Sequence, residues 1–373
     1  MSIKRHGRRD TIFSVNHRMG LEIKMSIDWK EYLLSQGAVF QGSSLTGFSS
    51  QTEFHHTPPH ENVISVLSHK SFITVSGPDA QKFLQGQISV HMEQLSPNQH
   101  RLGVACTPKG RMYTSFRLLN TGNDYLFSMD KGIVEHTLTT LGKYAAFFKS
   151  DLKHTKNMIA LGLSGKNGAD ILTQLSIAIP EGDDTVTIKG GYVIQIEASS
   201  PRFEFWINSD NLSFWWEKLM TLCTPLAPTH WQLLDIESVI PSITEDTLEK
   251  YIPQHLNMPT LGGVSFRKGC YTGQEIVTRM QSLGQQKSRT YHLQSPEPVN
   301  IQTGDKIYDG NGKPIGETLI SLLSEATSHT ELLAVIRSEV AEQGKAYLDA
   351  DQKHPVHVLP LPYTVDSKAE LQQ

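Results

Sequence analysis

Cys106, Cys223 and Cys270 are the three thiols of this 373-residue chain, and one of them sits in a stretch built for chemistry. In Leu261 to Met280, LGGVSFRKGCYTGQEIVTRM, Cys270 follows Arg267, Lys268 and Gly269 and precedes a helix-like run. Nearby positive charge and the free N–H groups of a helix start both stabilise a thiolate. Such a cysteine is a nucleophile or a soft-metal ligand. The same residues also fit a small buried hydrophobe in a tight corner, the common fate of a free cysteine.

The elements around Cys270 follow from local sequence. Gly262-Gly263 marks a turn, Val264 to Phe266 reads as a short extended segment, and Gln274 to Met280 reads as a helix with Glu275 in its first turn. Gly77-Pro78-Asp79 starts a helix ending in Phe-Leu-Gln-Gly-Gln, whose Gln87 can offer an amide edge to a ligand. Arg101 to Thr107 and Met112 to Leu119 form a hairpin about Pro108-Lys109-Gly110. Trp231 lies on a helix beginning near Thr229, where it is either core or a flat face for a planar heterocycle.

The bulk properties exclude several classes. A net charge of −4 argues against a surface that wraps nucleic acid, so no stable direct contact with it is expected. No apolar run is long enough to span a bilayer. Three scattered cysteines write neither a disulfide framework nor a cluster site, and point to a reducing, cytoplasmic setting. The basic stretch before Lys24 lacks the apolar core of a secretory signal, and Met19 and Met25 are alternative starts. Ser26 is expected to cap a helix stopped by Gly37, and Gln41 to Asn62 reads as linker. Its Glu53, His55, His56, His60 and Glu61 lack ligand spacing, so no metal site is expected.

Strands and helices joined by short hairpins between Val63 and Ile240 indicate an α+β architecture. Past Ser288 the texture turns to strands and hairpins, ending in a proline-bearing edge strand at His357 to Tyr363, and a small C-terminal β-barrel is expected. The domain reading is residues 1–61 as extension, helix and linker, 62–284 as two α+β subdomains, and 285–365 as the barrel.

With Lys268-Gly269-Cys270-Tyr271-Thr272-Gly273-Gln274-Glu275 in view, the chain resembles the YgfZ family of folate-binding proteins. Gly77 to Gln87, Lys109-Gly110, Trp231 to Pro241, Gln254 to Glu275 and the closing Leu-Pro-Leu-Pro-Tyr support the resemblance, which covers about Val63 to Tyr363. It implies the ring-like three-domain fold of the glycine-cleavage aminomethyltransferase, with a tetrahydrofolate-sized opening at its centre. It also implies a monomeric accessory factor for iron–sulfur proteins, notably the enzyme that methylthiolates tRNA, with tetrahydrofolate or a derivative as cofactor. On this resemblance Cys270, helped by Lys268, carries the chemistry, and Trp231, Gln87, Tyr271, Gln274 and Glu275 contribute to the folate site. Lys70 stands where the family has a second folate-associated tryptophan, and would face the folate's carboxylates instead.

Two other readings stay open. A one-carbon transferase would need a carboxylate after the first hairpin turn, and Arg111 to Phe116 carries none. A non-catalytic scaffold would use folate as a stabilising ligand.

Overall fold

A computed structural model describes residues 28–42, 44–49, 62–198, 201–283, 286–324 and 326–372. Ser26 and the histidine-rich run 53–61 lie outside the described residues. The first helix, α1 (Trp29–Ser35), has Asp28 at its N-cap, whose carboxylate accepts from the Lys30 N–H at 3.0 Å. Part of the expected linker is instead a hairpin, β1 (Ala38–Gln41) with β2 (Ser44–Phe48). Its apolar residues explain this: Ala38, Leu45 and Phe48 are buried, and Phe48 stacks on Trp216 with centroids 5.3 Å apart.

The chain then alternates between two sheets. β3 (Val63–Val66) is followed by β4 (Lys70–Ser76), α2 (Ala80–Gln85), β5 (Gln99–Cys106), β6 (Met112–Asn120), β7 (Tyr125–Asp130), α3 (Val134–Ala145) and β8 (Asp151–His154). Next come β9 (Met158–Ser164), α4 (Gly168–Gln174), β10 (Thr185–Ile188), β11 (Gly191–Ile196), β12 (Arg202–Asn208), α5 (Leu212–Met220), β13 (Thr224–Leu226) and α6 (Pro228–Glu237). The order β5-β6-β7-β4-β8 makes one antiparallel sheet. The order β10-β11-β12-β9-β3-β13 makes the other, antiparallel but for the parallel β3–β13 pair. β3 and β4 are neighbours in sequence but belong to different sheets, so His69 and Lys70 stand where the chain crosses between them.

Both faces of the first sheet are covered, so β6 is buried almost throughout rather than alternating. Phe116 and Leu118 enter the core shared with α2 and α3, while Leu119 joins Phe72, Trp206 and Trp231 between the sheets. The fold is thus mixed helix and sheet, as the sequence predicts.

Val264 to Phe266 is a departure, because it forms no strand; Ser265 makes a single backbone bond to Ser89 O at 3.1 Å. After α7 (Gln274–Ser282) comes β14 (Ser288–Ser295), β15 (Lys306–Tyr308), β16 (Pro314–Leu323), β17 (Thr330–Arg337), α8 (Ser338–Ala341), β18 (Lys345–Tyr347), β19 (Pro355–Val358) and α9 (Ser367–Glu370). These strands close a six-stranded barrel in the order β14-β17-β16-β15-β18-β19. The last strand is no edge: β19 pairs with both β18 and β14, and it stops before the prolines, which then lead the tail away from the barrel.

Candidate functional site

The Cys270 loop is held by two other parts of the chain, the end of α2 and the hairpin between β5 and β6. Thr272 donates its N–H to Gly86 O at 3.2 Å and its hydroxyl to Gln87 Oε1 at 3.2 Å, which docks the loop on the end of α2. Gly273 has φ +85°, and a Cβ there would stand 2.5 Å from Thr107 O and 3.0 Å from Cys106 Cβ. Gly110, φ +71°, leaves room for Ile276 of α7 in the same way. The Phe-Leu-Gln-Gly-Gln, Pro-Lys-Gly and Lys-Gly-Cys-Tyr-Thr-Gly signatures, far apart in sequence, are therefore one packed unit.

Within it the side chains have distinct tasks. Cys270 is exposed, whereas Cys106 and Cys223 are buried, and burial pushes each of those thiols up to about 12. Of the three thiols, Cys270 is the one open to a reactant from solvent. Lys268 is only 7% exposed, and its Nζ donates to Gln85 O at 2.8 Å, Ile88 O at 2.5 Å and Val90 O at 2.8 Å. Burial pulls its pKa down to about 7. Arg267 turns the other way and donates to Gln372 Oε1. Gln274 Oε1 accepts from the Tyr271 N–H at 3.3 Å, Tyr271 is buried, and Glu275 is exposed.

A second feature lies where the two sheets, α6 and the barrel meet. This cavity of about 110 Å³ is walled by β6 and β7 (Phe116, Arg117, Ser128, Met129, Asp130), β12 (Glu204), α6 (Gln232, Asp235) and the barrel (Leu319, Leu333). That is small beside the several hundred Å³ of a site that swallows a drug-sized ligand whole. A long ligand must leave part of itself outside.

Lys70 and His69 also line this cavity. Lys70 is ion-paired with Glu204, whose other oxygen accepts from Trp206 Nε1 at 2.8 Å. Burial alone would raise the Glu204 pKa, but Lys70, through charge and hydrogen bond, and the indole N–H outweigh it and hold the carboxyl below its ordinary value. Burial, then the Lys70 charge, lowers His69 to about 3, so it is neutral. Burial raises Asp130 despite the bond it accepts from Gly132 N. Asp235 is held by Arg202 at 2.8 Å. Arg117 makes no direct hydrogen bond or ion pair among the described residues, but burial lowers its pKa against the charges of Glu204 and Asp235, while the buried Ser128 hydroxyl has no hydrogen-bond partner.

Of the residues singled out by sequence, Cys270, Lys268, Tyr271, Gln274, Glu275 and Gln87 gather at the loop, and Lys70 sits on the cavity. Trp231 belongs to neither surface. It is fully buried, lies flat on β9 where a Cβ at Gly162 would come within 2.3 Å of its ring, and has the Arg202 guanidinium 5.0 Å from its centroid. Its helix neighbours Gln232 and Asp235 reach the cavity instead. The cavity's Glu204, Arg117, Asp130 and Asp235 were missed by sequence reasoning. For Glu204 and Arg117 the signal was charge inside otherwise apolar strands, as in Arg202-Phe203-Glu204-Phe205-Trp206. No group of three or more His, Cys, Asp or Glu among the described residues is arranged to hold a metal. No described helix is long and apolar enough to cross a membrane.

No family model matches the chain. The tRNA-modifying protein YgfZ of Photorhabdus laumondii is 30% identical over 327 residues, spanning 87% of this chain and 98% of that protein. The chain belongs to the YgfZ family. The YgfZ proteins of Cronobacter sakazakii, 29% identical over 80% of this chain and 92% of theirs, and of Escherichia coli, 27% over 81% and 94%, agree. Among solved structures, the glycine cleavage system aminomethyltransferase T of Bartonella henselae superposes with a TM-score of 0.71 at 14% identity, covering 90% of this YgfZ-family chain and 96% of that one. The aminomethyltransferase fold is therefore shared.

Proposed function

We propose that this chain is a folate-binding accessory factor that supports tRNA modification by maintaining iron–sulfur enzymes, the methylthiolation of adenosine among them. The observation that carries the reading is the lone exposed thiol, Cys270, held on a glycine-shaped loop that three separated signatures build together. The relatives' description as tRNA-modifying proteins supports it.

The central cavity suits the head of a folate. Leu319, Leu333 and Met129 offer apolar walls, the Ser128 hydroxyl is free to bond a heterocycle edge, and the Arg117 guanidinium, on which the Glu204 and Asp235 charges already act, would donate to a ring carbonyl. Folate would supply a one-carbon carrier. The protein's own part is to exclude water from the buried walls and to keep Lys70 and Asp235 committed to Glu204 and Arg202. Iron or a cluster is cargo of the partner enzymes, and Cys270 meets it, or a reactive one-carbon adduct, as ligand or nucleophile.

A second reading, one-carbon transfer by the chain itself, draws support from Asp130. Burial raises its pKa, the direction that suits a proton-handling acid on a cavity wall.

The test is the methylthiolated adenosine content of tRNA, by mass spectrometry, in bacteria lacking their own YgfZ. The intact chain is expected to restore the modification and Cys270→Ala to lose at least about nine-tenths of it. Full restoration by Cys270→Ala removes the thiol from the mechanism. Asp130→Asn is expected to restore it fully; failure there, with the protein folded, favours transfer chemistry.

A further inference from the structure

Lys268 stands two residues from Cys270, and its position in the sequence invites the role of electrostatic helper to the thiol. Its geometry points elsewhere. An ammonium has three N–H donors and no acceptor, and although burial pulls the Lys268 pKa down to about 7, only the charged form serves three carbonyls at once. Here all three are used: Gln85 O at 2.8 Å, Ile88 O at 2.5 Å and Val90 O at 2.8 Å converge on Nζ. Gln85 ends α2, so one of these is a carbonyl left without a partner within its own helix. The other two belong to the segment leading from α2 toward β5. Lys268 thus ties carbonyls some 180 residues away in the chain to the loop that carries the thiol. Its ring neighbour is Tyr271, 5.0 Å from Nζ, and the acid whose charge reaches it is Glu93.

We infer that Lys268 is a positioning residue: its ammonium fills a three-carbonyl cage and thereby fixes the Cys270 loop on α2, rather than acting on the sulfur. This deepens the function proposed above and rests on that reading for its biological meaning, though not for its test. With the cage empty, the buried Ile88 and Val90 carbonyls and the part-buried Gln85 carbonyl lose their donor together. The loop's remaining ties to the end of α2, the Thr272 N–H to Gly86 O and the Thr272 hydroxyl to Gln87 Oε1, both at 3.2 Å, should open more often.

The first measurement uses the unmodified protein. Reductive methylation read by peptide mass spectrometry should label exposed Lys109 and leave Lys268 at under about a tenth of that extent. Equal labelling overturns the cage, whatever any variant does.

The second measurement uses Lys268→Ala, which opens a space the size of a small amine. Amide exchange at Thr272 should rise at least about tenfold, and methylammonium should reverse it while tetramethylammonium, which has no N–H, should not. The pH midpoint of Cys270 alkylation should stay where it is in the unmodified protein. An unchanged Thr272 rate, or a raised rate that methylammonium leaves raised, overturns the inference. A midpoint that moves upward with Thr272 unaffected assigns Lys268 to the thiolate instead. Neither measurement involves folate, iron or tRNA, so failure of the cage and failure of the function proposed above would be seen separately.

Discussion

Glu204 is 1% exposed and carries a charge between two sheets, which makes its pairing with Lys70 a matter of stability as well as of cavity shape. Breaking a buried pair by removing one partner is costly because the other charge is left uncompensated. Lys70→Met is expected to cost about 3–5 kcal/mol in urea unfolding, and adding Glu204→Leu to recover most of it. A double variant as unstable as the single one would show that packing, not charge, dominates. The pH dependence has a definite sign. In the unmodified protein the Glu204 carboxyl lies below its ordinary 4.5, so its contribution is complete above that value and is lost as pH falls through the lower folded value. In Lys70→Met only the Trp206 indole N–H and the Arg117 charge still oppose burial, so the carboxyl rises relative to the unmodified protein, and the gap between the two proteins should narrow as pH drops from neutral toward the carboxylate range. Sequence showed Lys70 as a lysine in an unexpected place and turned it toward a ligand. The partner that accounts for it lies 134 residues on in another sheet, and no local pattern reaches that far.

Elements were legible where their signals are local. The hairpin about Pro108-Lys109-Gly110, the helix after Gly273 and the barrel strands all follow from turn residues and periodicity. The misread ones were decided by neighbours: β1 and β2 form because α5 and β3 offer an apolar surface for Leu45 and Phe48, and β19 is interior because the barrel closes. The thiol loop lies between these cases, since its glycines announce a turn but not what they make room for. Gly273 combines φ +85° with a contact that a Cβ would bring to 2.5 Å of a backbone oxygen, so neither the conformation nor the space suits another residue. Gly273→Ala is expected to destabilise by about 2–4 kcal/mol, more than backbone strain alone, because Thr107 and Cys106 must also shift. Gly262, φ +74° with open space where a Cβ would go, serves as the control: alanine there meets the strain without the clash and should cost about 1 kcal/mol. Equal losses at the two sites would mean that the hairpin turn does not pack on the loop in solution.

At the scale of the molecule, the barrel is joined to the sheets in two ways. Leu319, Leu333 and Val335 pack into the core beside β6, and the tail returns from the barrel to the segment that carries α7. Tyr363 OH donates to Val239 O at 2.9 Å and accepts from Asn257 Nδ2 at 3.0 Å, which joins the end of α6 to the turn before the thiol loop. Glu370, 3% exposed, then accepts from Thr260 Oγ1 at 2.5 Å and Gln281 Nε2 at 2.5 Å, and Gln281 in turn meets Gln254, which bonds Val277 O within α7 at 2.8 Å. The tail is therefore a strap on the helix that follows Cys270. Removing residues 360–372 strips the Tyr363 and Glu370 bonds but leaves the contacts of Leu319, Leu333 and Val335 in place, so the damage should concentrate on α7. Thermal unfolding is expected to remain one transition at a lower temperature, with amide exchange in α7 accelerated far more than in β16 or β17. Tyr363→Phe isolates one link and should cost about 1–3 kcal/mol, since it leaves Val239 O without its donor and Asn257 Nδ2 with Thr290 O alone. Two separate calorimetric transitions in the truncated chain would reverse the ranking, making the strap rather than the apolar contact the main tie between barrel and sheets.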